Sequence, residues 1–145
     1  MKLISLLPAD TYTVVNKSII TEDDKKNIIS LYELIIGPIA VSLYFTLLRD
    51  ISLLEFISKD YTHHHLMTMM RSSIETIKLA RESLEGVGLL KSYFKEGEPN
   101  SYVYEIYSPL SPKEFFSSPI FNITLYNNIG KNEYELIKAE YELPK

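Results

Sequence analysis

The sequence contains no cysteine, and this absence removes several kinds of site at once. Disulfide bonds and thiolate-bound metals are excluded, and a covalent enzyme would need an activated serine, threonine or lysine instead. No Gly-x-Ser-x-Gly motif, phosphate-binding glycine-rich loop or paired-carboxylate motif is present. We therefore expect a protein that is not an enzyme, and the lack of cysteine suits a cytoplasmic location.

The sequence also lacks an excess of positive charge and a long apolar run. A net charge of -4 argues against general attraction to nucleic acid, although it leaves room for a local basic patch. The most apolar uncharged stretch, residues 34–48, is shorter than the roughly 20 residues that span a bilayer and contains Gly37 and Pro38. We interpret it as buried core. Residues 3–7 are too short for a signal peptide and are followed by Pro8.

Histidine is scarce, and its three copies are consecutive: His63, His64 and His65. Neighbours on a helix point about 100° apart, so the three cannot close one tetrahedral metal site. Two of them could join Asp60 on another segment, but an exposed helix start is the simpler interpretation. We therefore predict no metal site and no cofactor.

Residues 62–107 predict a winged helix-turn-helix. A helix over 62–70 is followed by a second that Ser72 would cap, with Glu75 three residues later. Gly86 suits the left-handed end of that second helix, and strands over 89–94 and 102–107 flank a turn at 96–101. The order helix, helix, strand, turn, strand is that of a module which usually binds DNA or protein.

The flanking segments complete an α+β, mainly α, prediction with three parts. Residues 1–20 form an N-terminal arm, in which a strand at 11–15 must pair with the wing or with another subunit. Residues 21–110 form the winged-helix core, with helices that start at Thr21 and Pro38 and the wing hairpin near 89–107. Residues 111–145 form a C-terminal helical extension in which Gly130 ends one helix and Asn132 caps the last.

The second helix of the motif, which usually reads DNA, has an unfavourable outward face. Successive residues of a helix are rotated by 100°, so Glu75, Leu79 and Glu82 lie on the side opposite the buried residues. Lys78 lies at one edge of this outward face, and Arg81 lies close to the buried side. Phosphate groups line the major groove and would repel the two carboxylates. An outward leucine between acids is more typical of a protein-binding surface.

Two sets of candidate site residues follow from this pattern and from the 11 tyrosines. Amphipathic tyrosine rings are frequent at protein interfaces, but they are also ordinary strand residues. Glu96 and Glu98 at the wing tip oppose DNA binding. The candidate contacts to a DNA backbone are Arg71, Lys78, Arg81, Lys91 and Lys95. The candidate protein interface is Tyr12, Val14, Glu75, Leu79, Glu82, Tyr93, Tyr102 and Tyr104.

Two motifs give the chain a family resemblance. The motifs are Leu-Ile-Ile-Gly-Pro-Ile-Ala at 34–40 and Leu-Glu-Gly-Val-Gly-Leu-Leu at 84–90. Two shorter matches accompany them, Tyr104-Glu105 and Leu-Tyr-Asn at 125–127. With these motifs the whole chain resembles the N-terminal region of the replication initiation and membrane attachment proteins of low-G+C Gram-positive bacteria. These form the DnaB/DnaD primosomal family, which is distinct from the ring helicase of the same name.

The resemblance implies a function and partners. Members are non-enzymatic primosome proteins that self-associate and, with DnaD and a loader ATPase, place the replicative helicase on DNA at initiation and restart. The winged helix would serve as a dimer or tetramer scaffold, while a C-terminal domain expected to be missing here would carry most DNA binding. Full-length members are cytoplasmic and linked to membrane attachment of the origin. The alternative is a DNA-binding transcriptional regulator.

Overall fold

The structure, a computed structural model, describes residues 5–52 and 55–141 and has the predicted α+β, mainly α, class. The ends of the predicted arm and C-terminal extension lie outside these residues. The strands are β1 (Thr11–Asn16), β2 (Tyr61–Thr62), β3 (Leu90–Lys95) and β4 (Ser101–Ile106). The helices are α1 (Glu22–Asn27, continued by the π-helical segment Ile28–Tyr32), α2 (Glu33–Arg49), α3 (His63–Met70), α4 (Ile74–Gly86), α5 (Pro112–Ser117) and α6 (Pro119–Glu140).

The sheet has the strand order β2-β1-β4-β3. β3 and β4 form the antiparallel wing, and β1 pairs in parallel with β4, placing Tyr12 beside Tyr102. On its other side β1 pairs with β2, where Tyr12 meets Tyr61. The predicted strand at 11–15 is thus confirmed. Its partner is the wing of the same chain, the first of the two partners considered.

Two glycines interrupt the long helices, as the sequence predicts. Gly37 has φ 84° inside α2, and Gly130 has φ 83° inside α6. By length and composition alone, the run Glu22–Arg49 could be considered a membrane span. However, Gly37 divides it into pieces shorter than about 20 residues. Its second half contributes Leu43, Tyr44 and Leu47 to the buried core, which supports the core interpretation.

The C-terminal helical extension packs against the helices that precede the motif. The Tyr32 hydroxyl accepts a hydrogen bond of 2.8 Å from the Leu110 N–H, and the Tyr32 ring packs edge-on against Phe115 and Phe121. The Ser111 hydroxyl caps α5 in a capping box with Glu114. The extension is therefore joined to the winged helix through buried aromatic residues.

Two local predictions in the helix-turn-helix need correction. The N-cap of α4 is Ser73, whose hydroxyl accepts from the Thr76 N–H, rather than Ser72. The left-handed conformation after α4 is taken by Gly88, with φ 81°, and not by Gly86. In both cases the capping or left-handed residue lies one or two positions later than predicted. A neighbouring serine can cap the helix equally well, and a neighbouring glycine can equally well adopt positive φ.

Candidate protein-interaction surface

The buried side of α4 determines which residues this helix presents to solvent. Ile77, Ala80 and Leu84 are buried in the core and lie on one side of the helix. The opposite side presents Glu75 and Glu82, which are exposed. Leu79 lies between them and is 63% exposed. The predicted orientation of this helix is therefore confirmed.

An apolar groove adjoins this outward face. Leu79 lies across from Ile36 and Ile39 of α2, and the groove between the two helices has a volume of about 250 Å³. Ile39 is itself 51% exposed, so two large apolar side chains meet solvent here. We call this the α2–α4 groove; its lining residues are Ile36, Ile39, Ala40, Thr76, Leu79, Ala80 and Ser83.

Arg81 is turned toward the wing and away from the outward face, which corrects its assignment as a DNA contact. Its side chain is only 16% exposed, and the guanidinium carbon lies 5.5 Å from the centre of the Tyr102 ring. The Arg81 Nε atom is 3.7 Å from a carboxylate oxygen of Glu85, one turn further along α4. The physical reason is that Arg81 lies on the same side of α4 as Ile77 and Leu84.

The other candidate DNA contacts are accessible to different degrees. Arg71, Lys91 and Lys95 are exposed, whereas Lys78 is half-buried. Lys91 lies opposite Glu105 in the wing register, with its ammonium group 5.5 Å from the centre of the Tyr93 ring. Part of the positive charge on the wing is thus offset by a neighbouring carboxylate. Their role in DNA contact stays a prediction.

Most of the predicted interface tyrosines belong to the core of the single chain, which corrects that part of the prediction. Side chains alternate along a strand, and the inner face of the sheet is covered by helices. Tyr12 and Val14 have no exposed surface, and Tyr102 and Tyr104 have 6% and 2%. Tyr93 points to the other face and is 45% exposed, so it remains a candidate together with Glu75, Leu79 and Glu82.

His63 is a core residue, contrary to the expected exposed helix start. Its Nδ1 lies 2.6 Å from the Asp10 carbonyl and its Nε2 2.6 Å from the Tyr104 hydroxyl. A carbonyl only accepts, so Nδ1 carries the proton and Nε2 accepts from Tyr104. Burial lowers the pKa of His63. Within residues 5–52 and 55–141, no three His, Asp or Glu side chains are arranged to hold a metal ion.

A further apolar surface on α6 was not singled out residue by residue from the sequence. Ile120, Ile123 and Tyr126 are 74%, 61% and 45% exposed and recur every three residues along one face. The sequence does indicate this surface, because residues 119–126 contain no charge and place apolar side chains on more sides of the helix than the core can cover. The inward face of the same segment carries Leu125, which is fully buried.

Comparison with known proteins agrees with this architecture. Residues 6–145 match the DnaB N-terminal winged helix domain family. The chain is 25% identical over 138 residues to the replicative helicase loading/DNA remodeling protein DnaB of Staphylococcus aureus, covering 94% of the chain and 30% of that protein. It resembles the crystal structure of primosome protein DnaB (residues 1–300) from Geobacillus stearothermophilus, with a TM-score of 0.88 and 32% identity. This match covers 97% of the chain and 54% of that structure.

Proposed function

The chain belongs to the DnaB N-terminal winged helix domain family, and we propose that it is a non-enzymatic assembly domain of a bacterial replication primosome. In this proposal it self-associates as a dimer or tetramer and helps to load the replicative helicase at initiation and restart. The proposal is motivated by its relatives, described as a helicase loading/DNA remodeling protein and a primosome protein. The chain spans 30% of the first and 54% of the second.

The observation that carries the proposal is the outward face of α4. This helix occupies the position that reads the major groove in DNA-binding winged helices. Here it presents two exposed carboxylates and Leu79, while Arg81 packs against Tyr102. Approaching a polyanion with such a face would be unfavourable, because there is no counterion release to gain and the carboxylates are repelled. The same face suits a protein partner.

We place self-association on the apolar face of α6. Ile120, Ile123 and Tyr126 are too exposed to stabilise the single chain, and their common face would be buried by an identical face in a two-fold dimer. Tyr93 on the wing offers a smaller second contact. Burial of apolar surface stabilises such an interface by roughly 25 cal/mol per Å² before the entropic cost of association is subtracted.

The remaining partners are proposed for the full-length protein. They are primosomal proteins such as DnaD and the helicase loader, with DNA contacted mainly through a C-terminal domain outside this chain. We propose a cytoplasmic location, with membrane attachment at the origin as a property of the full-length protein.

Light scattering on the purified chain at tens of micromolar tests the proposal. We expect a dimer or tetramer that becomes monomeric when Ile120→Asp and Ile123→Asp are combined. The matched control is Ile19→Asp, since Ile19 is 78% exposed and lies far along the chain from α6. A wild-type chain that stays strictly monomeric would refute the scaffold role. If the double variant still self-associates, the interface does not lie on α6.

A further inference from the structure

We propose that the α2–α4 groove binds a basic amphipathic helix supplied by a protein partner. One apolar side chain of that helix would enter between Ile39 and Leu79, and two of its cations would pair with Glu75 and Glu82. The inference rests on the proposed assembly function, because it names the chemistry of the partner that the outward face of α4 accepts.

The dimensions of the groove favour a polypeptide side chain as its occupant. Its volume of about 250 Å³ is below the roughly 300–1,000 Å³ of ordinary small-molecule pockets. Its apolar walls come from Ile36, Ile39 and Leu79, and the hydroxyl-bearing Thr76 and Ser83 line the α4 side. A groove between two helices with an exposed apolar wall on each is the usual receptor for the apolar stripe of a third helix.

The charges beside the groove specify the polar part of the partner. Glu75 and Glu82 are seven positions apart on α4, which corresponds to two turns and about 10 Å along the axis. Both are exposed, and neither has an ion-pair partner in the part of the chain that the structure describes. A helix lying along α4 would match them with two Lys or Arg residues spaced by seven and an apolar residue between these, on the same face.

Within residues 5–52 and 55–141, the long helix α6 does not fit this description. The exposed face of α6 at 119–130 carries no cation at all. Residues 131–140 carry Lys131 and Lys138 seven positions apart with Tyr134 between them, but Tyr134 is half-buried against the core and donates a hydrogen bond of 2.7 Å to the Asn122 side chain. Glu135 lies on the same face as the lysines. Leu136 points to the opposite side of the same helix. Charge complementarity therefore favours a different protein over a second copy of this chain.

Panning a displayed peptide library identifies what the groove selects. A library of randomised 14-residue peptides is panned against the full chain, and binders that also recognise the Leu79→Arg variant are removed. We expect enrichment of peptides with two cations seven positions apart and Leu, Ile or Phe between them. Enrichment of acidic or uncharged peptides, or the absence of any Leu79-dependent peptide, would overturn the proposal.

Fluorescence anisotropy with the most enriched peptide then tests each wall of the site. We expect at least about tenfold weaker binding to Leu79→Arg, to Ile39→Arg and to the pair Glu75→Lys with Glu82→Lys. The matched control is Leu136→Arg, because Leu136 and Leu79 are 62% and 63% exposed. Equal losses in Leu79→Arg and Leu136→Arg would show that added charge, and not the groove, controls binding. The three single variants should melt near the wild-type temperature, since the replaced side chains are exposed. The double variant should melt slightly lower, because Glu75→Lys places a cation in the first turn of α4.

Light scattering on the same variants separates this inference from the proposed self-association. Peptide binding lost in Leu79→Arg while the oligomer persists supports a distinct partner at the groove. Dissociation of the oligomer by Leu79→Arg would identify the occupant as a second copy and overturn the inference. If the wild-type chain is monomeric but still selects basic amphipathic peptides through Leu79, the scaffold proposal fails and the groove proposal stands.

Discussion

Asn128 donates the hydrogen bond that Pro38 cannot. In a continuous helix the N–H of residue 38 would bond to the carbonyl of Leu34, but proline has no N–H. The Asn128 Nδ2 atom on α6 instead lies 2.9 Å from the Leu34 carbonyl oxygen and 3.5 Å from that of Ile35. The Leu34 carbonyl, which has no helical donor where α2 is interrupted, therefore receives its hydrogen bond from the C-terminal extension. This bond couples the two segments.

The first prediction follows from this bond. We expect Asn128→Ala to lower the free energy of unfolding by about 0.5–1.5 kcal/mol, the usual net contribution of one such bond, with the lower end favoured because Asn128 is exposed. Asn128→Asp should cost more, since a carboxylate would face two carbonyl oxygens. Asn127→Ala is the control, because Asn127 is a neighbouring exposed asparagine. Urea unfolding at pH 7 measures all three, and an equal loss in both alanine variants would reject the capping role.

The second prediction concerns the glycines at the helix breaks. Gly37 and Gly130 have φ near 84° and 83° with ψ near 167° and 169°, a region that is essentially restricted to glycine and costs a side-chain-bearing residue roughly 1–3 kcal/mol. We expect Gly37→Ala and Gly130→Ala each to destabilise the fold by about that amount. A Cβ at either position would meet open space, so the cost would be conformational and not steric.

Gly86→Ala is the matched control for the glycine experiment. Gly86 also has open space where the methyl group of an alanine would lie, but its φ is not positive and it ends a helix. Alanine there should be neutral or stabilising by up to about 1 kcal/mol. Thermal or urea unfolding distinguishes the two cases, and destabilisation of all three variants alike would contradict the conformational explanation.

The third prediction is a pH dependence that originates at His63. Burial lowers its pKa in the folded state below the unfolded value of about 6.5. The unfolded state therefore binds the proton first. The stability contributed by neutral His63 should be fully present above about pH 6.5 and lost as the pH falls below that value toward the lowered folded pKa.

Comparing variants isolates this contribution from that of the carboxylates. Unfolding free energies are measured between pH 5 and pH 8 for the wild type, His63→Asn and His64→Ala. His63→Asn should lower stability at pH 8 but show a shallower slope below pH 6.5, whereas His64→Ala should keep the wild-type slope because His64 is exposed. Parallel curves for wild type and His63→Asn would exclude His63 as the source.

The fourth prediction concerns duplex DNA. We expect the chain alone to bind a labelled 20-base-pair duplex no more tightly than the roughly 10⁻⁴–10⁻⁶ M of non-specific binding near physiological salt. Any residual binding should weaken with salt and with Lys91→Glu plus Lys95→Glu, because these wing lysines are exposed. Arg81→Gln should lower stability and leave DNA affinity unchanged. Tight binding that depends on Lys78 would instead favour the transcriptional-regulator alternative.

Local signals along the chain were sufficient for the order and ends of most elements. The capping box at Thr21 uses atoms three residues apart, and Pro38 after Gly37 interrupts α2 because proline has no N–H to donate to the preceding turn. The outward direction of Leu79 could also be predicted, because the helical repeat relates it to Ile77 and Leu84. The π-helical segment Ile28–Tyr32 had no such local signal.

What the sequence by itself determined is therefore the winged-helix order, the helix breaks and the acidic, apolar face of α4. Only the tertiary structure decided that β1 pairs with β4, that His63 is buried between Asp10 and Tyr104, and that Ile39 and Leu79 share one groove. The physical reason is the sequence separation over which each interaction acts. Caps and helical periodicity act between residues a few positions apart, whereas burial and grooves depend on segments that meet in space from distant parts of the chain.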